Sequence, residues 1–261
     1  MLKFSANLSL LFTELPLLER FAAAKQNGFD AVEIQFPYDV SAEQLRQAAD
    51  AAQVRIVLIN VPAGDLMSGG AGLACHPDKS DEFREAVRQA LHYADVLNVE
   101  CINVLAGRLA NGYDEEQCFA RLVENLRYCA EQFEPLRVKV LTEAINRFDM
   151  PDFLLSSFEA MQDAVRAAAH PNLALQFDIY HMTRTGEDVA SRLRDHYAEI
   201  GHIQFADAPG RGAPGTGEID FAELFMLIEA LPYNGWCGAE YKPTVTTEKS
   251  LSWRHAYDLL L

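Results

Sequence analysis

The stretch LALQFDIYH, residues 173–181, combines an apolar strand pattern with two groups that carry chemistry. Every second residue from Leu173 to Ile179 is apolar, which is typical of a β-strand. Asp178 nevertheless lies within the run, and His181 follows three residues later. A carboxylate on a buried strand loses hydration worth on the order of several kcal/mol unless another group offsets it. The charge of Asp178 therefore requires a partner.

Apolar runs of strand length recur along the whole chain, and an amphipathic stretch of helical spacing follows each. Eight runs stand out, at residues 4–9, 31–36, 55–60, 99–106, 139–145, 173–180, 202–207 and 236–241. No linker rich in Pro, Gly or Ser divides the 261 residues, and one α/β barrel typically needs about 250. We therefore predict a single (β/α)8 barrel over residues 1–261. A doubly wound open sheet is the alternative, but no GxGxxG motif follows the first strand.

Helix boundaries are marked by capping residues. Ser41 and Ser80 each precede a charged turn and are predicted as N-caps. The pairs Asn27-Gly28 and Asn234-Gly235 each precede a strand that ends in Glu, and we predict that both pairs end a helix.

Composition excludes several classes of protein. The formal net charge of -16 argues against a nucleic-acid binder, which usually presents a basic face. Five irregularly spaced cysteines, with no CxxC pair, indicate neither a disulfide framework nor a zinc ribbon. The sequence shows no clear signal peptide and no apolar stretch of about 18 residues. We therefore expect a cytoplasmic protein without membrane spans.

Each of four consecutive predicted strands, the fifth to the eighth, carries one oxygen-bearing side chain at a comparable depth near its carboxyl end. These side chains are Glu143, Asp178, Gln204 and Glu240. Barrel enzymes build their sites at the carboxyl ends of strands, and carboxylates brought together repel one another unless neutralised. An all-oxygen set suits Mg²⁺ or Mn²⁺ better than zinc, so we predict that a divalent cation compensates Asp178. Taken singly, each residue is also explained as a solvated rim group or as the partner of an arginine.

Two histidines lie near these strand ends. His181 falls in the loop after Asp178, where it either binds substrate and stabilises an oxyanion or serves only as a structural cap. His202 lies deeper on the seventh strand, and we predict a core histidine. Further polar groups on other strands are expected to line the pocket, namely Asn7, Glu33, Asn60 and Asn103.

Two basic residues follow the seventh and eighth strands. Arg211 lies in the glycine-rich loop PGRGAPGTGE, residues 209–218, and Lys242 shares the predicted inward face of Glu240. Both would supply positive charge to a small anionic substrate. Surface salt bridging is the structural alternative.

The sequence resembles the xylose isomerase-like barrels and, among them, the hydroxypyruvate isomerase family. The likeness spans nearly the whole chain and is carried by FSANLSLLFTELP (4–16), GFDAVEIQFPY (28–38), TEAIN (142–146), QFDIYHM (176–182), PGRGAPGTGEID (209–220) and NGWCGAEYKP (234–243). The resemblance implies a (β/α)8 barrel with a divalent cation held by the four strand-end residues. It also implies that Glu143 and Glu240 transfer protons.

Two departures separate this sequence from the related ketose epimerases. In those enzymes the position of Gln204 is usually a histidine. A neutral amide oxygen is a harder ligand and again favours Mg²⁺ or Mn²⁺. Those epimerases also place a Glu six residues after the first metal-binding Glu. Here that position is Asp149, for which the resemblance implies a contact with substrate.

The resemblance implies an aldose–ketose isomerisation of a small hydroxy-carbonyl acid. One Glu removes an acidified C–H proton, a metal-stabilised enediolate forms, and a proton returns on the neighbouring carbon. Hydroxypyruvate would give tartronate semialdehyde without an organic cofactor. A 2-oxo-tetronate isomerase and a sugar 3-epimerase with the same site are the alternatives.

Other classes of protein make different use of the same residues. A metal-free retaining glycosidase would use Glu143 and Glu240 as its two carboxylates, and would leave Asp178 and Gln204 without a role. A zinc enzyme that cleaves DNA would need more histidines and a basic groove. A non-catalytic binding barrel would need exposed carboxylates. The apolar residues Phe221, Leu224 and Phe225 pack either in the core or in a homo-oligomer interface.

Overall fold

The computed structural model describes residues 2–258, and its centre is a closed barrel of eight parallel strands. The strands lie in sequence order, and β8 pairs with β1 to close the sheet. They are β1 Lys3–Asn7, β2 Ala31–Ile34, β3 Arg55–Asn60, β4 Cys101–Val104, β5 Lys139–Glu143, β6 Leu173–Asp178, β7 Ile200–Phe205 and β8 Trp236–Ala239. The predicted (β/α)8 barrel is confirmed. Residues 1 and 259–261, which the predicted domain also includes, lie outside the described residues.

Helices follow the strands and surround the barrel. They are α1 Leu17–Gln26, α2 Ala42–Ala52, α3 Ser80–Leu97, α4 Glu115–Phe133, α5 Phe158–Ala168, α6 Ile179–Thr185, α7 Val189–His196, α8 Phe221–Ala230, α9 Thr247–Ser250 and α10 Ser252–Asp258. None of the described helices combines the length and the apolar character that crossing a bilayer requires.

Two of the four predicted helix boundaries are confirmed and two are wrong. Ser41 accepts a hydrogen bond from the Gln44 amide as the N-cap of α2, and Asn27 ends α1. Ser80 is instead the first helical residue, because a 3₁₀ turn at Pro77–Lys79 has already begun the winding. The pair at Asn234 lies beyond the end of α8, in the turn before β8.

Aromatic side chains pack the last helices against the barrel. The Phe225 ring lies edge-on to Phe4 at 5.3 Å and to Phe205 at 5.2 Å, and it also contacts Trp253. Phe221 is buried beside it, as are Leu224 and Phe225 itself. These residues therefore belong to the core of the chain, where burying a large aromatic side chain is strongly stabilising.

A candidate active site at the barrel mouth

The four predicted metal ligands lie where their strands end, and all four are buried. Glu143 and Asp178 are the last residues of β5 and β6, Gln204 lies one residue before the end of β7, and Glu240 directly follows β8. Asp178 and Gln204 are register partners on neighbouring strands. The barrel therefore brings the four residues to one end, as the strand pattern predicts.

A cavity of about 300 Å³ opens above these strand ends. Every predicted site residue except Asp178 and Gln204 lines it; the lining includes Glu143, Asp149, His181, Arg211, Glu240 and Lys242. Glu143 and Glu240 thus share one cavity with the loop cations, which are distant from them in sequence.

Asp178 is the N-cap of helix α6, so His181 lies in the first turn of a helix and not in the loop predicted from sequence. Its Oδ1 accepts the backbone N–H of Tyr180 at 2.8 Å and that of His181 at 3.3 Å. Its Oδ2 lies 3.6 Å from His181 Nε2. Backbone donors at a helix start favour a carboxylate, so part of the charge of Asp178 is compensated by the chain itself.

A buried group of Glu143, Asp178 and His181 offers a metal-binding arrangement. One ligand atom from each lies within 4.8 Å of the others. Burial raises the pKa of Glu143 well above its ordinary value, and the charges of Glu240 and Asp178 raise it further. Because a cation would relieve both the burial and the repulsion, this crowding of carboxyl groups fits a divalent metal.

Glu240 holds several partners at the other side of the cavity. Its Oε1 accepts hydrogen bonds from Asn7 Nδ2, at 3.1 Å, and from Gln35 Nε2. Its Oε2 lies 3.0 Å from Arg211 Nη2. Burial raises the pKa of Glu240 to about 7, against the opposing effect of Arg211. A carboxyl group of this pKa exchanges protons readily near neutral pH.

His181 has a defined tautomer that follows from its neighbour Asn146. The backbone N–H of Asp149 donates to Asn146 Oδ1 at 2.9 Å, which fixes the orientation of that amide. Asn146 Nδ2 therefore faces His181 Nδ1, at 2.7 Å, and donates to it. Burial lowers the pKa of His181 to about 4, so the ring is neutral and carries its proton on Nε2. In this tautomer Nε2 donates, so of the buried group only the Glu143 and Asp178 carboxylates offer a lone pair to a metal, and His181 is free to donate to a substrate.

Arg211 reaches the cavity from the loop that follows β7. Its backbone adopts a left-handed φ of 55°, a conformation that costs a non-glycine residue on the order of 1 kcal/mol. Its carbonyl accepts the Lys242 N–H at 2.8 Å, and its guanidinium lies 5.2 Å from the Tyr180 ring centre. Nη1 lies 3.9 Å from Asp149 Oδ2. The loop therefore aims one cation at the carboxylates of the site.

Of the four further polar residues predicted to line the pocket, Asn60 does so, whereas Asn7, Glu33 and Asn103 are buried and do not line the cavity. Asn103 donates to Glu143 Oε1 at 2.7 Å, as Asn7 does to Glu240. His202 is buried against Glu33 at 2.7 Å, as predicted for a core histidine. Gln35 and Asn146 were missed. Gln35 was detectable, because it lies two residues after Glu33 and a strand presents alternate residues to one face.

Comparison with known proteins agrees with this geometry. The family model described as "Xylose isomerase-like TIM barrel" matches residues 21–258. The chain belongs to this family. It is 44% identical to hydroxypyruvate isomerase of Escherichia coli over 257 residues, covering 98% of this chain and 100% of that protein. It is 39% identical to 2-oxo-tetronate isomerase of Cupriavidus necator, with 98% of each chain covered.

A solved structure shows the same architecture. The structure titled AP endonuclease, family 2, from Brucella melitensis superposes with a TM-score of 0.95 at 35% identity, covering 98% of this chain and 99% of the other. The resemblance predicted from the motifs, and with it a hydroxypyruvate isomerase-like enzyme of the aldose–ketose class, is confirmed by the full-length relatives.

Proposed function

We propose that this protein interconverts hydroxypyruvate and tartronate semialdehyde, with a divalent cation at the barrel mouth. The observation that carries the proposal is the pair of buried carboxyl groups with raised pKa, Glu143 and Glu240, in one cavity that also holds a fixed cation. The relatives named hydroxypyruvate isomerase and 2-oxo-tetronate isomerase support the same class of substrate.

The substrate carboxylate pairs with the cations of the loop side of the cavity. Arg211 presents a guanidinium there, and Lys242 lines the same wall. A charge-assisted hydrogen bond to a carboxylate contributes about 1.5–3 kcal/mol. Bound in this way, the three-carbon acid places its hydroxymethyl and carbonyl carbons toward the buried carboxyl groups.

The isomerisation moves two protons. One of the two glutamates, as a carboxylate, removes a proton from the hydroxymethyl carbon, and the C–H electron pair forms the enediolate double bond. A proton from Glu143 or Glu240 then reaches the former carbonyl carbon. The hydroxyl proton passes from the terminal oxygen to the inner oxygen, so the product is an aldehyde of the same composition. His181 Nε2–H donates a hydrogen bond to the oxygen on which negative charge develops.

The donor set of the strand ends fits a hard divalent cation. Glu143, Asp178, Gln204 and Glu240 would hold Mg²⁺ or Mn²⁺, whose preferred ligands are oxygens. The bound cation supplies Lewis acidity, which acidifies the C–H bond next to a carbonyl. Asp149 lines the cavity beside Arg211 and is proposed to contact the substrate.

A 2-oxo-tetronate, one carbon longer, is the second candidate substrate. A full-length relative carries this name, and the cavity of about 300 Å³ is the space in which either acid would bind. The proton transfers would be the same. A sugar 3-epimerase and a metal-free glycosidase remain less favoured alternatives. A cytoplasmic location, the lack of nucleic-acid binding and the formation of a homo-oligomer stay predictions.

Proton NMR of the EDTA-treated protein tests the proposal. We expect hydroxypyruvate to give tartronate semialdehyde only after Mg²⁺ or Mn²⁺ is added. Turnover of a 2-oxo-tetronate but not of hydroxypyruvate would keep the mechanism and change the substrate. Turnover of neither acid in the presence of both metals would contradict the proposed function.

A further inference from the structure

Glu33 is a fully buried carboxylate below the cavity, and the proton transfers described above do not use it. It lies on β2 and faces the barrel interior. Its Oε1 accepts from Asn7 Nδ2 at 3.2 Å and from Gln204 Nε2 at 3.0 Å, and its Oε2 lies 2.7 Å from His202 Nε2. Two of these three partners connect Glu33 to the site. Gln204 is a proposed metal ligand, and Asn7 donates a hydrogen bond to Glu240.

The contact with Gln204 determines which end of that amide faces the strand-end carboxylates. Glu33 Oε1 accepts a hydrogen bond from Gln204 Nε2 at 3.0 Å, so Gln204 turns its NH₂ group toward Glu33. Gln204 Oε1 consequently points toward β6, where it accepts from Gln176 Nε2 at 2.7 Å. A carbonyl oxygen has two lone pairs, so one remains for a ligand near Asp178, the register partner of Gln204.

The contact with Asn7 extends the effect of Glu33 to the other side of the site. Asn7 Nδ2 donates both to Glu33 Oε1 and to Glu240 Oε1, at 3.2 and 3.1 Å. Reversal of the Asn7 amide would place its oxygen against two carboxylates, which is repulsive. Glu33 thus acts together with the Ser9 N–H, which donates to Asn7 Oδ1 at 3.0 Å, to hold the donor that faces Glu240.

The backbone of β8 provides the space that this carboxylate occupies. A Cβ added at Gly238 would lie 2.4 Å from Glu33 Oε1 and 2.5 Å from Oε2. No real Cβ tolerates such contacts, so the absence of a side chain at Gly238 is what admits Glu33 to its place between β1 and β7.

We propose that Glu33 is a positioning residue, which orients Gln204 as an oxygen ligand for the divalent cation and Asn7 as a donor to Glu240. This inference rests on the proposed metal-dependent function. It differs from a structural role, because it requires the affinity for metal to depend on the acceptor at position 33. Partners of metal ligands typically change metal affinity by about 10–100-fold when they are removed.

The experiment is a titration of the EDTA-treated protein with Mn²⁺, in which free Mn²⁺ is followed by its EPR signal. Glu33→Leu removes both acceptors and is expected to weaken Mn²⁺ binding by about 10–100-fold. Glu33→Gln keeps one oxygen for Gln204 and Asn7. Its NH₂ group donates to His202 Nε2 once that ring carries its proton on Nδ1, and Mn²⁺ affinity is expected to stay within about 3-fold of the unmodified protein. Gln162→Leu, which removes a buried amide on α5, is the control and is expected to bind Mn²⁺ normally.

Kinetics on hydroxypyruvate supply a second readout. At Mn²⁺ concentrations that fill the weakened site, Glu33→Leu is expected to recover much of its kcat, whereas a protein damaged in general would not recover. If Glu33→Leu does not fold, Gly238→Ala decides, since it displaces the carboxylate without removing it and is expected to weaken Mn²⁺ binding by a similar factor.

The outcomes separate this inference from the function on which it rests. Normal Mn²⁺ affinity in Glu33→Leu or in Gly238→Ala, or equal losses in Glu33→Leu and Glu33→Gln, would overturn the positioning role and leave the proposed function standing. An unmodified protein that binds no Mn²⁺ would contradict the proposed function and this inference with it.

Discussion

Arg211 and Glu240 form an ion pair inside the cavity, with Nη2 3.0 Å from Oε2. The glutamate is buried and the guanidinium is mostly buried, so solvent screens the pair only weakly. Arg211 therefore performs two tasks in the proposed reaction. It offers a cation to the substrate carboxylate, and it holds down the pKa of a carboxyl group that burial raises to about 7.

Replacing Arg211 by glutamine tests both tasks. Loss of a charge-assisted hydrogen bond of about 1.5–3 kcal/mol predicts a 10–100-fold rise in KM for hydroxypyruvate. Because Arg211 lowers the pKa of Glu240, its removal should also move the acidic limb of the kcat/KM profile to higher pH. Steady-state kinetics from pH 5 to pH 9 measure both effects. An unchanged KM would place the substrate carboxylate elsewhere.

The metal-free protein should lose stability as the pH rises toward neutrality. Burial raises the folded-state pKa of Glu240 from an ordinary 4.5 to about 7, and raises that of Glu143 in the same direction. This contribution to stability is fully present below the unfolded-state pKa and is lost as the pH rises through the folded-state pKa. The Tm of the EDTA-treated unmodified protein should therefore fall relative to the Tm of EDTA-treated Glu240→Gln as the pH rises from 4.5 to 7. Circular dichroism measures both Tm values. A difference that does not change over this range would contradict the shift.

Added Mn²⁺ should reverse this loss. The metal binds deprotonated carboxylates, so its stabilising effect grows with pH over the same interval. At a free Mn²⁺ concentration of about 100 times the Kd, the gain is about 2.7 kcal/mol. Thermal denaturation with and without Mn²⁺, at pH 5 and pH 7, gives the comparison. An equal effect at both pH values would argue against carboxylate ligands.

His181 should be neutral at pH 7, with its proton on Nε2. Its pKa is lowered to about 4 by burial, and Asn146 donates to its Nδ1. The ¹⁵N spectrum of histidine-labelled protein is expected to show this tautomer for the signal that disappears in His181→Gln. Asn146→Ala removes the donor that keeps His181 Nδ1 without a proton, so both neutral tautomers should become populated. We expect kcat to fall by about 10-fold, which is within the range typical of lost orienting partners. A protonated Nδ1 would instead make His181 available as a metal ligand.

Phe225→Ala should destabilise the fold without changing the site. The ring is buried among Phe4, Phe205 and Trp253, and such truncations cost about 3–5 kcal/mol. Urea denaturation is expected to show this loss, while the Mn²⁺ affinity of the folded protein stays unchanged. A large change in affinity would mean that the packing of α8 and α10 reaches the barrel mouth.

The barrel and the four strand-end residues were predictable from sequence, because both depend on short-range patterns. Alternation places a side chain on one face of a strand, and the barrel gathers the ends of all strands. These two rules were enough to place Glu143 and Asp178 at the mouth of the barrel. The same reasoning accounts for His202, whose depth on its strand predicts a core position.

The orientation of the site required the structure. The direction of the Arg211 side chain depends on the left-handed backbone of Arg211 itself, in a long loop. The tautomer of His181 depends on the amide of Asn146, 35 residues away. The capping of helix α6 by Asp178 depends on where that helix begins. Sequence misplaced the start of α3 for a related reason, since the 3₁₀ turn at Pro77–Lys79 precedes the predicted cap. Such features arise from tertiary contacts that local patterns do not specify.

The most direct test of the proton transfers is the isomerisation of hydroxypyruvate in D₂O with Mn²⁺, followed by proton NMR for the unmodified protein, Glu143→Gln and Glu240→Gln. The proposed roles predict tartronate semialdehyde from the unmodified protein and a loss of at least about 100-fold in kcat in each variant, with both variants folded as judged by circular dichroism. A folded variant that retains the unmodified kcat would contradict the assignment of proton transfer to that glutamate.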